Sequence, residues 1–511
     1  MTDDADKPVF HFTPQRNWMN DPNGLVYLDG VYHLFFQYNP DGNDWGNMSW
    51  GHATSTDLLS WAEQSLALPY TQDEQIFSGS IVVDHDNTTG FGQDGVVPLV
   101  AIYTRVTSNA VQAQALAFSL DRGMTWQKYH ANPVLDRNSS AFRDPKVFRA
   151  ADRHGRERWV MVAVEAEQRM LLVYSSHDLI MWAYESTFGP FGDEGVVWEC
   201  PDLFALNLNG DPSHPRWVLV LSTNKVPDHD SAAFSFTGHF DGHVFVADDA
   251  ETWRPLDYGR DFYAAVSFAN TPDACRIILG WANNWQYAAD APTYPWRGAM
   301  TLPRQLELTE TGITQNLPAV TEEALPAEPS QTYQADHLEG PVIFDAGRHY
   351  RFRLTCTLDD AAEVSVGLLS GAGMPAAVLH YAAGTHTLSF ERTRSGRNEF
   401  HPRFAEVSSV RLPSSSSPSP SSSPQSLSQS LSHRLELDIF VDGCIIEVFA
   451  NRGADTLTMQ AFSAPDAREI VLSADGRAPI RARVELYDLT QITVANSRML
   501  MLENVAGPPS E

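Results

Sequence analysis

Short apolar runs, each bounded by Gly, Asp, Asn or Pro, recur along the chain, and helical periodicity is scarce. Val26-Tyr27-Leu28, Tyr32-His33-Leu34-Phe35-Phe36, Val97-Pro98-Leu99-Val100-Ala101-Ile102-Tyr103 and Trp159-Val160-Met161-Val162-Ala163-Val164 are examples. They predict many short antiparallel strands. Alternating segments continue late in the chain, as in Tyr350-Arg351-Phe352-Arg353-Leu354. Leu435-Glu436-Leu437-Asp438-Ile439-Phe440-Val441 runs into Asp442-Gly443 and then Ile445-Ile446-Glu447-Val448-Phe449, which reads as a tight hairpin. The predicted fold class is all-β.

A weak repeat runs through the first 310 residues. Ser55-x-Asp57…Trp61, Ser119-x-Asp121…Trp126, Ser176-x-Asp178…Trp182 and Ala247-x-Asp249…Trp253 place tryptophans 65, 56 and 71 residues apart. A polar series precedes it: Asn20-Asp21-Pro22, Ser78-Gly79-Ser80, Arg143-Asp144-Pro145, Glu199-Cys200-Pro201 and Asp261-Phe262-Tyr263. Five units of about 60 residues predict radially repeated four-stranded sheets, a five-bladed β-propeller. The polar series should open each blade on the strand nearest the axis. The Asp…Trp turns should lie further out, with the Trp packed between blades. The expected division is a propeller over 1–315, a linker over 316–335 rich in Pro, Ala and Glu, and a C-terminal β-sandwich over 336–511. The Ser/Pro tract at 413–432 cannot bury apolar surface and is expected to be a loop between two sandwich strands.

Composition narrows the function. The 511 residues are 43% hydrophobic and 19% charged, enough apolar material for packed cores. A formal net charge of −29 disfavours nucleic acid and anionic membranes as partners. A neutral substrate is not penalised. No run approaches the roughly 20 apolar residues of a spanning helix. The N-terminus, Met-Thr-Asp-Asp-Ala-Asp-Lys-Pro, does not read as a secretory leader, which leaves the compartment open between the cytosol and secretion with a missing leader. Cys200, Cys275, Cys356 and Cys444 form no CxxC pair, against a disulfide scaffold or zinc knuckle.

If the first strands line a funnel, Asp21, Asp144 and Glu199 converge there from separate blades. Carboxylates in a narrow tunnel are costly unless they bind a metal or do acid–base work. Histidine is nearly absent from these motifs, so no metal site is expected. Trp18, Gln37, Trp45, Phe77, Trp198 and Trp285 surround the acids in sequence. Paired carboxylates with aromatic walls and hydroxyl-reading amides are the equipment of glycoside cleavage.

Trp18-Met19-Asn20-Asp21-Pro22-Asn23-Gly24, Phe77-Ser78-Gly79-Ser80, Phe142-Arg143-Asp144-Pro145, Trp198-Glu199-Cys200-Pro201 and Asp261-Phe262-Tyr263-Ala264 strongly resemble glycoside hydrolase family 32. That family holds invertases, exo-inulinases, levanases and fructosyltransferases on a five-bladed propeller with a β-sandwich. The resemblance implies that Asp21 is the nucleophile and Glu199 the general acid and then base. It implies that Asp144, with Arg143, holds fructose hydroxyls and stabilises ring charge. The first sugar subsite is expected to draw on Asn20, Gln37, Trp45, Phe77 and Ser78, with Trp285 as a wall and Trp281 in the core. Asn224 fits either a contact to the next sugar or a polar turn residue. Cys200 reads as a small neighbour of the acid. Val266 stands where a polar residue is common, so a rim contact is expected to be missing.

The reaction implied is release of terminal β-D-fructofuranosyl units from sucrose, inulin-type or levan-type chains by double displacement, without a cofactor. Retention asks for the two carboxyls about 5–5.5 Å apart. Two alternatives stay open: a fructosyltransferase making fructo-oligosaccharides or a difructose anhydride, and a catalytically silent sugar-binding propeller. The sandwich is expected to cover the propeller's flank and to support association as a homodimer.

Overall fold

The computed structural model describes residues 5–492 except 193, 227–229, 251–252, 372, 395, 414–432 and 478. The Ser/Pro tract expected as a loop therefore lies, apart from Pro413, outside the described residues. Five antiparallel sheets surround a common axis. Their innermost strands are Asn17–Leu28, Glu74–Val83, Phe142–Ala151, Val197–Asn207 and Tyr263–Ser267, and we number the blades 1 to 5 accordingly. In blade 5 a long insertion separates the second strand (Ile277–Trp281) from the third (Arg304–Thr309). Within it, Trp296–Arg297 pairs in parallel with Asn17 and Trp18 of blade 1 and closes the ring.

The continuous apolar runs follow from this arrangement. A blade strand is covered on both faces, and successive side chains point to opposite faces. In blade 3, Val160, Val162 and Val164 enter the core shared with blade 4. Trp159, Met161 and Ala163 enter the core shared with blade 2. Separate apolar clusters likewise join blades 1 and 2, 4 and 5, and 5 and 1.

The Asp…Trp turns sit at the blades' outer edges. Ser55, Ser119 and Ser176 donate their hydroxyls to Asp57, Asp121 and Asp178 at 3.0, 2.8 and 3.0 Å. Trp61, Trp126 and Trp182 donate their indole N–H groups to the carbonyls of Leu58, Gly123 and Leu179. Each ring packs into a seam between blades. In the fourth repeat Ala247 supplies no hydroxyl, and Trp253 still packs against the seam of blades 3 and 4.

Two six-stranded antiparallel sheets form the β-sandwich. One has the order Gln331–Ala335, Arg481–Asp488, His349–Leu358, His433–Asp442, Ile445–Ala450, Asp455–Gln460. The hairpin turns at Gly443-Cys444, with Asp442 paired to Ile445 and Gly443 at φ 62°. The preceding stretch, 316–335, holds a short helix, Ala319–Ala324, and the sandwich strand Gln331–Ala335.

A buried polar network joins sandwich and propeller. Arg304 of blade 5 donates to Asp257 at 2.8 Å and to Glu447 of the sandwich hairpin at 2.5 Å. His11 bridges Asp442 and Glu447 at 2.9 and 3.1 Å. Asp442 also accepts from the backbone N–H groups of Val9, Phe10 and His11. The carboxylates on either side keep the His11 imidazole protonated: although burial opposes the charge, its pKa rises to about 9.

Candidate active site

Each innermost strand carries one extra residue at the same height. Between Met19 and Pro22, Ile76 and Gly79, Arg143 and Lys146, Glu199 and Asp202, and Tyr263 and Val266, three steps on the inner strand match two on its neighbour. Such bulges re-aim side chains, and here they turn them toward the axis. Pro145 and Pro201 occupy bulged positions, where no ladder N–H is required. Asp144, Cys200 and Ala264 adopt left-handed φ values of 62°, 48° and 53°. At Gly79 a Cβ would come within 2.1 Å of the Ile102 carbonyl oxygen, so only glycine lets this strand pass.

The bulges surround a cavity of about 300 Å³ lined by Asn20, Asp21, Gln37, Trp45, Phe77, Ser78, Gln112, Arg143, Asp144, Glu199, Asn224 and Trp285. Every residue marked from sequence as catalytic or sugar-binding lines it. Gln112, which carries no sequence signal, joins them: it opens the third strand of blade 2, Gln112–Ser119, outside any repeated motif. Asp261, fifth of the polar series, turns away. It is fully buried, ion-paired with Arg392 at 2.5 Å and hydrogen-bonded by Tyr287 and by the Gln460 N–H. Blade 5 instead directs Tyr263 inward. Val266 packs half-buried against apolar residues of blades 1 and 5 and is not among the residues lining the cavity, so this position supplies no polar contact to it. Trp281 is fully buried, as core.

Around Asp21 the structure places three donors. Ser78 Oγ donates to Oδ2 at 2.7 Å, Asn20 Nδ2 to Oδ1 at 3.0 Å, and Cys200 Sγ to Oδ2 at 3.4 Å. Asn20 is in turn fixed by the Trp18 indole at 2.8 Å. Burial nevertheless raises the Asp21 pKa above the ordinary aspartate value. The Ser78 hydrogen bond opposes the rise and the nearby Glu199 charge adds to it.

Asp144 is held by two backbone contacts: Cys200 N–H donates to Oδ2 at 2.9 Å, and its own N–H donates to Thr104 Oγ1 at 2.9 Å. Burial pushes its pKa to about 7 against the pull of Arg143, with Glu199 and Asp21 adding to the rise. Cys200 Sγ lies 3.8 Å from Asp144 Oδ2 and so spans the two aspartates. Burial, followed by the surrounding carboxylates, drives the thiol pKa far up, so it acts as a donor rather than a thiolate.

Glu199 is gripped on both oxygens. Arg143 Nε and Nη2 donate to Oε1 at 3.2 and 3.0 Å, and the Tyr263 hydroxyl donates to Oε2. Burial keeps Tyr263 a neutral phenol. Arg143 Nε also lies 3.9 Å from Asp144 Oδ2, so one guanidinium faces two of the three acids.

Aromatic rings form the walls. Trp45, 48% exposed, meets Phe77 edge-on at 5.9 Å on one side. Trp285 packs against Trp18 and Trp281 at 6.0 and 4.9 Å on the other. Gln37 donates to the Ile76 carbonyl at 3.1 Å, leaving its own carbonyl for a ligand hydroxyl. A cavity of this size with convergent carboxylates, amides and indoles fits one sugar ring, with room for acid–base chemistry at its edge. Among the described residues no His/Cys/Asp/Glu group has the arrangement to hold a metal ion.

Comparison with known proteins gives a consistent picture. The family model described as Glycosyl hydrolases family 32 N-terminal domain matches residues 11–317, and the family 32 C-terminal model matches 318–491. The chain is 38% identical to an extracellular exo-inulinase of Aspergillus ficuum across 94% of each protein. It is 40% identical to invertase 2 of Saccharomyces cerevisiae across 75% of this chain and 70% of that one. The solved structure of the Aspergillus awamori exo-inulinase superposes with a TM-score of 0.86 at 35% identity, covering 96% of this chain and 99% of that one.

Proposed function

The chain belongs to glycosyl hydrolases family 32, and from that membership we propose how its cavity works as the site of a β-fructofuranosidase. The enzyme is a glycoside hydrolase acting on sucrose and fructans. In the proposed course, Asp21 attacks the anomeric carbon of a terminal β-fructosyl unit while Glu199 gives its proton to the departing oxygen. Water, activated by the same Glu199, then releases fructose from Asp21 with net retention. Asp144 holds ring hydroxyls and faces the charge that develops on the ring. Asn20, Gln37, Trp45, Phe77, Ser78, Arg143 and Trp285 bind the first sugar, and Asn224 touches the next.

One observation carries this reading: three acids drawn from blades 1, 3 and 4 line a single one-sugar cavity, two of them bridged by Cys200 Sγ and the third gripped by Arg143. Donors gathered on Asp21 favour the ionised nucleophile. The neutral Tyr263 and the cationic Arg143 fix Glu199 for proton transfer. The proposed division of labour is a catalytic propeller over the first 315 residues and a sandwich, from the strand Gln331–Ala335 to Arg481–Asp488, that braces it through the Arg304–Glu447 and Arg392–Asp261 pairs. The extracellular naming of the exo-inulinase relative supports a secreted setting.

The test is incubation with sucrose, 1-kestose, inulin and levan, with products resolved by size. Equimolar glucose and fructose from sucrose is the expected outcome. Excess glucose with longer oligomers would make the enzyme a fructosyltransferase, and four untouched substrates would make it a silent binder. Rapid NMR should show β-fructose first; α-fructose first would refute double displacement.

A further inference from the structure

Gln112 reaches the cavity from the third strand of its blade, whereas Asp21, Ser78, Asp144 and Glu199 project from innermost strands. It lies in register with Val106 on one side and Ser139 on the other, which places it at the cavity's margin beside blade 3. Arg143 Nη1 donates to its carbonyl oxygen at 3.4 Å. A guanidinium has only donors, so Gln112 must turn its carbonyl toward Arg143. Its amide nitrogen is then directed elsewhere, and no described residue accepts from it.

The remaining nitrogens of Arg143 that bond a side chain, Nε and Nη2, hold Glu199 Oε1. Gln112 thus stands one guanidinium away from the group that protonates the departing oxygen. The sugar leaving on that oxygen must pass beside Glu199, and Gln112 lines the same cavity with an unused amide donor whose orientation Arg143 sets. We propose that Gln112 is a specificity-determining residue for the departing sugar, its amide nitrogen donating to a hydroxyl of the unit that Glu199 releases. This rests on the reaction proposed above. Because an incoming acceptor sugar retraces the path of the leaving one, the same contact favours transfer to sugar over transfer to water.

The experiment compares Gln112→Ala and Gln112→Glu with the wild type on sucrose and on methyl β-D-fructofuranoside, whose departing group is methanol and offers no sugar hydroxyl. Gln112→Glu keeps an acceptor for Arg143 and removes the donor. In both variants kcat/KM for sucrose should fall by about three- to tenfold more than for the methyl glycoside, the range of one neutral hydrogen bond. The fraction of fructose transferred to sugar at concentrated sucrose should fall with it. Equal losses on the two substrates would mean that Gln112 acts only through Arg143 and would overturn the proposal, as would unchanged kinetics. A wild-type enzyme that cleaves neither substrate would overturn the underlying reaction, a distinguishable failure.

Discussion

Removing the Ser78 hydroxyl is the sharpest test of how Asp21 is tuned. Of the three side-chain donors on that carboxylate, Ser78 is the nearest, at 2.7 Å, and shares Oδ2 with the weakly donating Cys200 thiol at 3.4 Å. Ser78→Ala leaves Oδ2 with the thiol alone, in a site where burial already favours the protonated acid. A hydrogen bond to a charged group contributes about 1.5–3 kcal/mol, equivalent to roughly one to two pH units in the ionisation it supports. The acid limb of kcat/KM for sucrose should therefore move toward neutral by about that much. Relative to its own plateau, activity well below the limb should fall about ten- to a hundredfold, any loss on the plateau itself reporting the contact proposed between Ser78 and the first sugar. The assay is a pH profile of initial fructose release with thermal melting as a folding check. A limb that stays in place would refute the reasoning, because Ser78 would then serve the sugar alone and not the ionisation of Asp21.

Asp21→Ala and Glu199→Ala should each lower turnover on sucrose by at least about a hundredfold with the melting temperature near that of the wild type; activity within tenfold would remove that residue from its role. Asp144 has a folded pKa of about 7, above its unfolded value of 3.8. Its contribution to stability is thus present below 3.8 and lost as pH rises to about 7. Asp144→Asn should consequently melt higher than the wild type at pH 8, with the gain shrinking toward pH 5, while activity falls; a gain independent of pH would contradict this. His11, with a pKa raised to about 9, contributes stability that is complete below 6.5 and lost as pH rises through 9. The wild type should lose melting temperature across that window, and His11→Gln should flatten the decline. Asp442 and Glu447 have depressed pKa values, so their contributions are lost at the acid end instead.

Much of this architecture is legible in the chain because a propeller repeats its signals. The Asp…Trp turns mark the outer edges of four blades, and Asn20-Asp21, Ser78, Arg143-Asp144 and Glu199 stand about one blade-length apart at the axis. What escapes is set by contacts with no local signal. Asp261 fits the polar series by spacing, but Arg392, 131 residues later, draws it into the sandwich junction. That leaves Tyr263, two residues on, to face Glu199. Gln112 belongs to no motif and reaches the site only because its strand ends at the cavity's margin. The bulges are equally silent in sequence, since an extra residue is defined only against the neighbouring strand. Val266 follows one of them, and its half-buried side chain packs against apolar residues of blades 1 and 5.

The pairing of Trp296–Arg297 with Asn17–Trp18, together with the Val26–Ala269 bridge and the apolar cluster behind it, ties the last blade to the first. All three acids are present once the ribosome has passed residue 199, yet the Trp285 wall and the Tyr263 brace come from the final blade. A fragment ending before residue 263 would own the reactive groups without that wall and brace to enclose them. Fructose release would therefore report arrival of the final blade, and a permutant opened between Trp296–Arg297 and the next strand would test how much that pairing adds.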